Sequence, residues 1–105
     1  MEFLVEIDVN LPPDFDAGKA EDLRKAEARR GVELYEAGTI RRVWRVPGRR
    51  AAVAIWEAPD ATALHAALAS LPLFPWLDIK VRPLARHYVE DLIAQKAAQG
   101  GKPAA

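Results

Sequence analysis

A chain of 105 residues, half of them hydrophobic, can close one modest core but not two, so one domain is expected. Fifteen basic residues offset fifteen acidic ones, which leaves no net field to draw the protein onto nucleic acid or an anionic membrane. Cysteine is absent, which excludes disulfides, thiolate metal sites and a cysteine nucleophile and makes the cytoplasm the default compartment.

The first residues, Met-Glu-Phe-Leu-Val-Glu-Ile-Asp, carry acids where a signal peptide is basic and then apolar. No apolar run approaches the roughly 20 residues of a membrane span, so a soluble protein is expected. Phe3, Val5, Ile7 and Val9 alternate with Glu2, Leu4, Glu6 and Asp8, the period of a strand with one apolar face. Leu11-Pro12-Pro13 breaks it, and Asp16 can cap a helix over residues 17–37 that stops at Gly38. Ala20, Leu23, Ala26 or Glu27, Gly31 and Leu34 form its inward stripe, while Lys19, Asp22, Lys25 and Arg29 turn outward.

A second strand is expected over 39–46, with Ile40, Trp44 and Val46 on one face and Arg41, Val43 and Arg45 on the other; Arg42 interrupts the apolar side. Pro47-Gly48 is a turn, and 51–56 is a strand apolar enough for burial on both faces, which makes the pair a hairpin. Asp60 or Thr62 caps a second helix over 61–70. Leu71-Pro72-Leu73-Phe74-Pro75-Trp76-Leu77-Asp78-Ile79 follows, where two prolines three apart forbid both a helix and a central strand. A rigid apolar corner there delivers the chain into a fourth strand over 79–84. The order βαββαβ predicts an α+β, ferredoxin-like fold, a four-stranded antiparallel sheet with two helices on one face, spanning residues 1–87. Residues 88–105 form a C-terminal extension. Tyr88, Val89, Leu92 and Ile93 can line a short helix before a flexible end, and with the core complete they pack either on another subunit or back across their own domain.

No glycine-rich phosphate loop, serine-centred triad or metal-ligand cluster is legible, and two histidines are too few for a histidine-rich metal site, so neither a metal nor a cofactor is expected. What remains is Glu27. Desolvated on the inward stripe, its carboxyl pKa would rise toward the range of a general base; at the stripe's edge it would instead pair with Arg24 or Arg30 in solvent.

From Phe3 to His87 the chain resembles the muconolactone delta-isomerase family. The resemblance is carried by Val9-Asn10-Leu11-Pro12, Asp16, Lys19-Ala20, Leu23, Glu27, Gly38-Thr39, Arg41, Trp44-Arg45, Gly48, Ala63-Leu64-His65, Arg86-His87 and, most specifically, the proline corner Leu71–Ile79. It implies a cofactor-independent isomerase in the catabolism of catechol-derived aromatics, the beta-ketoadipate route, which moves the double bond of an unsaturated lactone. It also implies a homo-oligomer, with dimers assembling into a decamer-like ring. Glu27 is then the catalytic base, and Arg41 and Arg45 can hold the substrate's carboxylate and the developing oxyanion, or else stand as strand charges facing away. Trp44 and Phe3 are pocket walls or core packing, and His87 is a proton donor or a surface residue; His65 reads as packing. Arg42, Arg49 and Arg50 stand where the family tends to have histidine, histidine and tyrosine, and Ala52 and Ala54 where it tends to have asparagine and serine. Those departures leave open another lactone or cyclic substrate, or a non-catalytic binding or assembly module.

Overall fold

A computed structural model describes residues 1–100. The chain forms β1 (Glu2–Val9), α1 (Ala17–Glu36), β2 (Ile40–Arg45), β3 (Ala51–Glu57), α2 (Ala61–Ala69), β4 (Leu77–Leu84) and α3 (Tyr88–Ala98). The strands make one antiparallel sheet in the order β2-β3-β1-β4, the ferredoxin-like arrangement that the element order predicts.

Local chemistry sets most boundaries. The Asp16 carboxylate accepts the Lys19 N–H at 2.8 Å and caps α1, while Gly38, at φ +81°, lets the chain leave that helix in a conformation that suits glycine. Asp60, rather than Thr62, caps α2 by accepting the Ala63 N–H at 2.8 Å. Between β2 and β3, the Arg49 N–H donates to the Val46 carbonyl across Pro47-Gly48, with Gly48 at φ +77°, the pattern of a type II turn.

Register decides which side chains meet the helices. Phe3, Val5 and Ile7 of β1 lie opposite Trp56, Ala54 and Ala52 of β3, and this face is covered. Phe3, Val5, Leu34, Ile40, Trp56, Leu64, Leu68 and Leu71 form the core. Phe3 and Trp56 are its largest fully buried side chains, and the Trp56 indole N–H has no acceptor among the described residues.

β2 departs from simple alternation. Ile40 lies opposite Trp56, but Arg42, not Arg41, is next in register, opposite Ile55. The extra residue is a β-bulge, and beyond it the faces exchange. Val43 and Arg45 therefore join Ile40 on the helix side, while Arg42 and Trp44 point to the open side. This corrects the expected grouping of Trp44 with Ile40. On the open side the Arg42 guanidinium stacks over Trp44, 5.0 Å from the ring centroid, and Arg49 reaches both Glu6 and Asp8 of β1. β3 is accordingly less covered than expected, with Val53 and Ile55 only half-buried on that side.

The proline corner is a 3-10 turn over Phe74–Trp76, with Trp76 edge-on to Phe15 at 5.1 Å. It feeds β4 two residues earlier than expected, because Leu77 already pairs with Val9. α3 follows, capped by His87, whose Nδ1 accepts the Val89 N–H at 3.1 Å. No residue of α3 is buried, and Tyr88, Val89, Leu92 and Ile93 are all exposed. The expected flexible end falls mostly on 101–105, outside the described residues.

Candidate functional site

Between α1 and the sheet lies a cavity of about 690 Å³. Its roof is the α1 stripe Arg24, Glu27, Ala28 and Gly31, residues that recur at three- and four-residue steps and so share one helix face. The floor is small and apolar, formed by Val5, Ile7 and Val9 of β1 and by Ala51, Ala52 and Ala54 of β3. Leu71 and Leu73 close one flank, and Val43, Arg45 and Arg50 stand on another. Glu27 is the one carboxylate in this lining.

The hydrogen-bond economy of the proline corner explains how Glu27 is held. Pro72 and Pro75 have no N–H, and the amides of Leu71, Phe74 and Trp76 donate to the backbone carbonyls of Leu68, Leu71 and Leu73. The Leu73 N–H is left over, and Glu27 Oε1 accepts it at 3.0 Å. The carboxyl is thus fixed by a rigid turn across the cavity from the helix that carries it. Burial pushes its pKa above 4.5, and the Leu73 hydrogen bond, which favours the charged form, partly offsets that rise. No ion pair involving Glu27 is present among the described residues, although Arg24 is one turn away on the same face; Arg24 instead lies 4.0 Å from Glu21, and Arg30 lies 4.0 Å from Glu33.

Arg45 and Arg50 stand at the hairpin end of the cavity, where the Val9 N–H donates to the Arg50 carbonyl at 3.0 Å. Neither has a carboxylate partner among the described residues. A half-buried carboxyl near two guanidiniums that lack carboxylate partners, in an otherwise apolar hollow, suits proton transfer on a small anionic substrate.

The expected site residues divide. Glu27 and Arg45 line the cavity. Phe3 lies beneath it in the core, at 1% exposure. Arg41 is exposed at the bulge, and Trp44, 44% exposed, belongs to the opposite face of the sheet. His87 caps α3, stacked on Tyr88 with centroids 4.9 Å apart, and does not contribute to the cavity of its own chain. Arg24, Arg50, Trp56 and the Leu73 amide are wall components that the sequence reading did not assign. Arg24 was accessible to it, being three residues before Glu27, and so was the Leu73 amide, through a count of donors around the two prolines. Among the described residues no cluster of histidine and carboxylate side chains is placed to hold a metal ion, and no helix is long and apolar enough to cross a membrane.

Comparison with known proteins gives a consistent picture. The family model described as muconolactone delta-isomerase matches residues 1–90. The chain is 41% identical over 87 residues to muconolactone delta-isomerase 2 of Acinetobacter lwoffii, covering 83% of this chain and 91% of that one. Identity to the muconolactone delta-isomerase of Pseudomonas aeruginosa is 39% over 87 residues, with the same coverage. Among solved structures, a crystal structure of muconolactone isomerase superposes with a TM-score of 0.79 at 41% identity, covering 83% of this chain and 91% of that one.

Proposed function

Because the chain belongs to the muconolactone delta-isomerase family, we propose that its cavity binds a muconolactone-type unsaturated lactone and that Glu27 moves the proton that shifts the ring double bond. The C–H bond at the ring carbon bearing the acetate arm breaks, and its proton passes to Glu27. The electron pair spreads through the ring double bond onto the lactone carbonyl oxygen. Glu27 then returns the proton to the carbon beside that carbonyl, so one carboxyl serves as base and acid in turn. Arg45 and Arg50 bind the acetate carboxylate; the planar guanidinium fork suits that partner. The apolar floor offers the intermediate no proton donor to compete with Glu27.

The observation that carries this reading is Glu27 itself, a carboxyl with a pKa raised by burial, pinned by the Leu73 amide inside an apolar cavity. A step at His87 would have to take place in the cavity of a second copy, since in its own chain that residue caps α3. Residues 1–87 are the catalytic domain in this reading, and α3 is an arm that packs on a neighbouring subunit. The open side of the sheet, where Trp44, Val53 and Ile55 lie among charges of both signs, is a second contact in a homo-oligomer of dimers. A chain without cysteine fits work in the reducing cytoplasm.

The test is incubation with muconolactone in deuterated buffer, following double-bond migration and deuterium incorporation together. Isomerisation is expected with the substrate's own proton largely retained beside the carbonyl, solvent deuterium entering only to the extent that the Glu27 carboxyl exchanges before it returns that proton. An absence of turnover would remove muconolactone as the substrate.

A further inference from the structure

We infer that this cavity favours lactones bearing an apolar substituent on the ring edge opposite the acetate arm. The inference rests on the roles given above to Glu27 and the arginines. The cavity is polar at one end only. Arg45 and Arg50 stand where β2 ends and β3 begins, and α1, running back over β1, brings Arg24 toward that end. At the other end are Gly31, Ile40, Trp56 and Leu71, without a charge among them, and Glu27 lies between the two. A lactone with its carboxylate among the arginines and its reacting carbon at Glu27 therefore points the far edge of its ring at an apolar wall.

That wall is built with room to spare. Gly31 lies inside α1, its φ is not positive, and a Cβ built on it meets no atom within 4 Å. A glycine in mid-helix weakens the helix, so this one relieves no clash; it leaves space. Ala54 of β3 adds to the same space with a side chain of one carbon. A volume of about 690 Å³ falls in the roughly 300–1,000 Å³ range of pockets that enclose ligands much larger than a single lactone ring.

The test compares kcat/KM of the full chain for muconolactone and for its homologues with ethyl or butyl on the carbon beside the lactone carbonyl. Burying each methylene is worth about fourfold, so the butyl homologue is expected to exceed muconolactone by at least about tenfold. Gly31→Leu and, separately, Ala54→Val fill the apolar end, and each should lower the ratio of butyl to unsubstituted kcat/KM by about tenfold or more, with circular dichroism confirming the fold. Turnover of muconolactone that falls with each added methylene would overturn the inference and leave the proposed reaction standing. Turnover of none of the lactones would overturn both.

Discussion

Replacing Glu27 by glutamine separates the chemistry of this carboxyl from its architecture. Glutamine has the same length and keeps an oxygen that can accept the Leu73 N–H, so the proline corner stays docked, but it cannot take a proton from carbon. General acid–base catalysis contributes about 10²–10⁴-fold, and here one group performs both transfers, so kcat should fall by that factor while KM changes by less than about threefold. Stability should move the other way. Burial raises the folded-state pKa of Glu27 above its unfolded value near 4.5, so across the window between the two the folded chain binds more protons than the unfolded one. The stability Glu27 contributes is therefore full at low pH and is lost as pH rises through the folded pKa. Glutamine carries no such dependence, so the variant should melt above the wild type near neutral pH, and its advantage should shrink as the pH falls from the raised folded pKa toward 4.5 and change no further below about pH 4. Activity is read from the change in ultraviolet absorbance as the double bond migrates, and exchange from deuterium incorporation by NMR. Thermal unfolding is followed at both pH values. A variant that keeps more than about a tenth of kcat, or one less stable than the wild type at neutral pH, would refute the assignment.

Arg45→Met and Arg50→Met should each raise KM for muconolactone by about 10- to 100-fold, the loss of a hydrogen bond to a charged group, with a smaller effect on kcat. Steady-state kinetics decide this, and an unchanged KM in both variants would remove the arginines from carboxylate binding. Leu92→Glu combined with Ile93→Glu places two charges on the exposed face of α3 and should lower the mass seen in sedimentation while leaving the far-ultraviolet spectrum intact. A wild-type chain that sediments as a single protomer would overturn the proposed role of that arm.

Much of the fold was legible because its punctuation is local. Asp16 and Asp60 cap helices, Gly38 ends one, Pro47-Gly48 turns a hairpin, and alternation in β1 and β4 separates the two faces of the sheet. Glu27 was legible as a residue on an inward stripe, but the stripe could not tell a solvent-facing edge from a roof; the Leu73 amide, 46 residues away in sequence, settles that in the fold. β2 was misread for a different reason. Counting by twos assumes one residue opposite one, and the bulge puts two residues opposite one, so Trp44 was assigned to the wrong side while Trp56 took the core. Arg50 lies just after a turn, where no periodicity predicts direction, and its place at the cavity emerges only when the end of β1 pairs with it.

That one inserted residue has an evolutionary reading. Removing a single codon at Arg41 would leave every other amino acid of the chain unchanged, yet it would return β2 to strict alternation and rotate either Ile40 out of the core or Val43 and Arg45 out of the cavity. A deletion at an exposed position outside the cavity lining would thus exchange Val43 and Arg45 for Arg42 and Trp44, moving the wall's cation by one strand position and adding an indole, in one step. The length of this strand therefore decides which of its side chains line the cavity as firmly as its composition does.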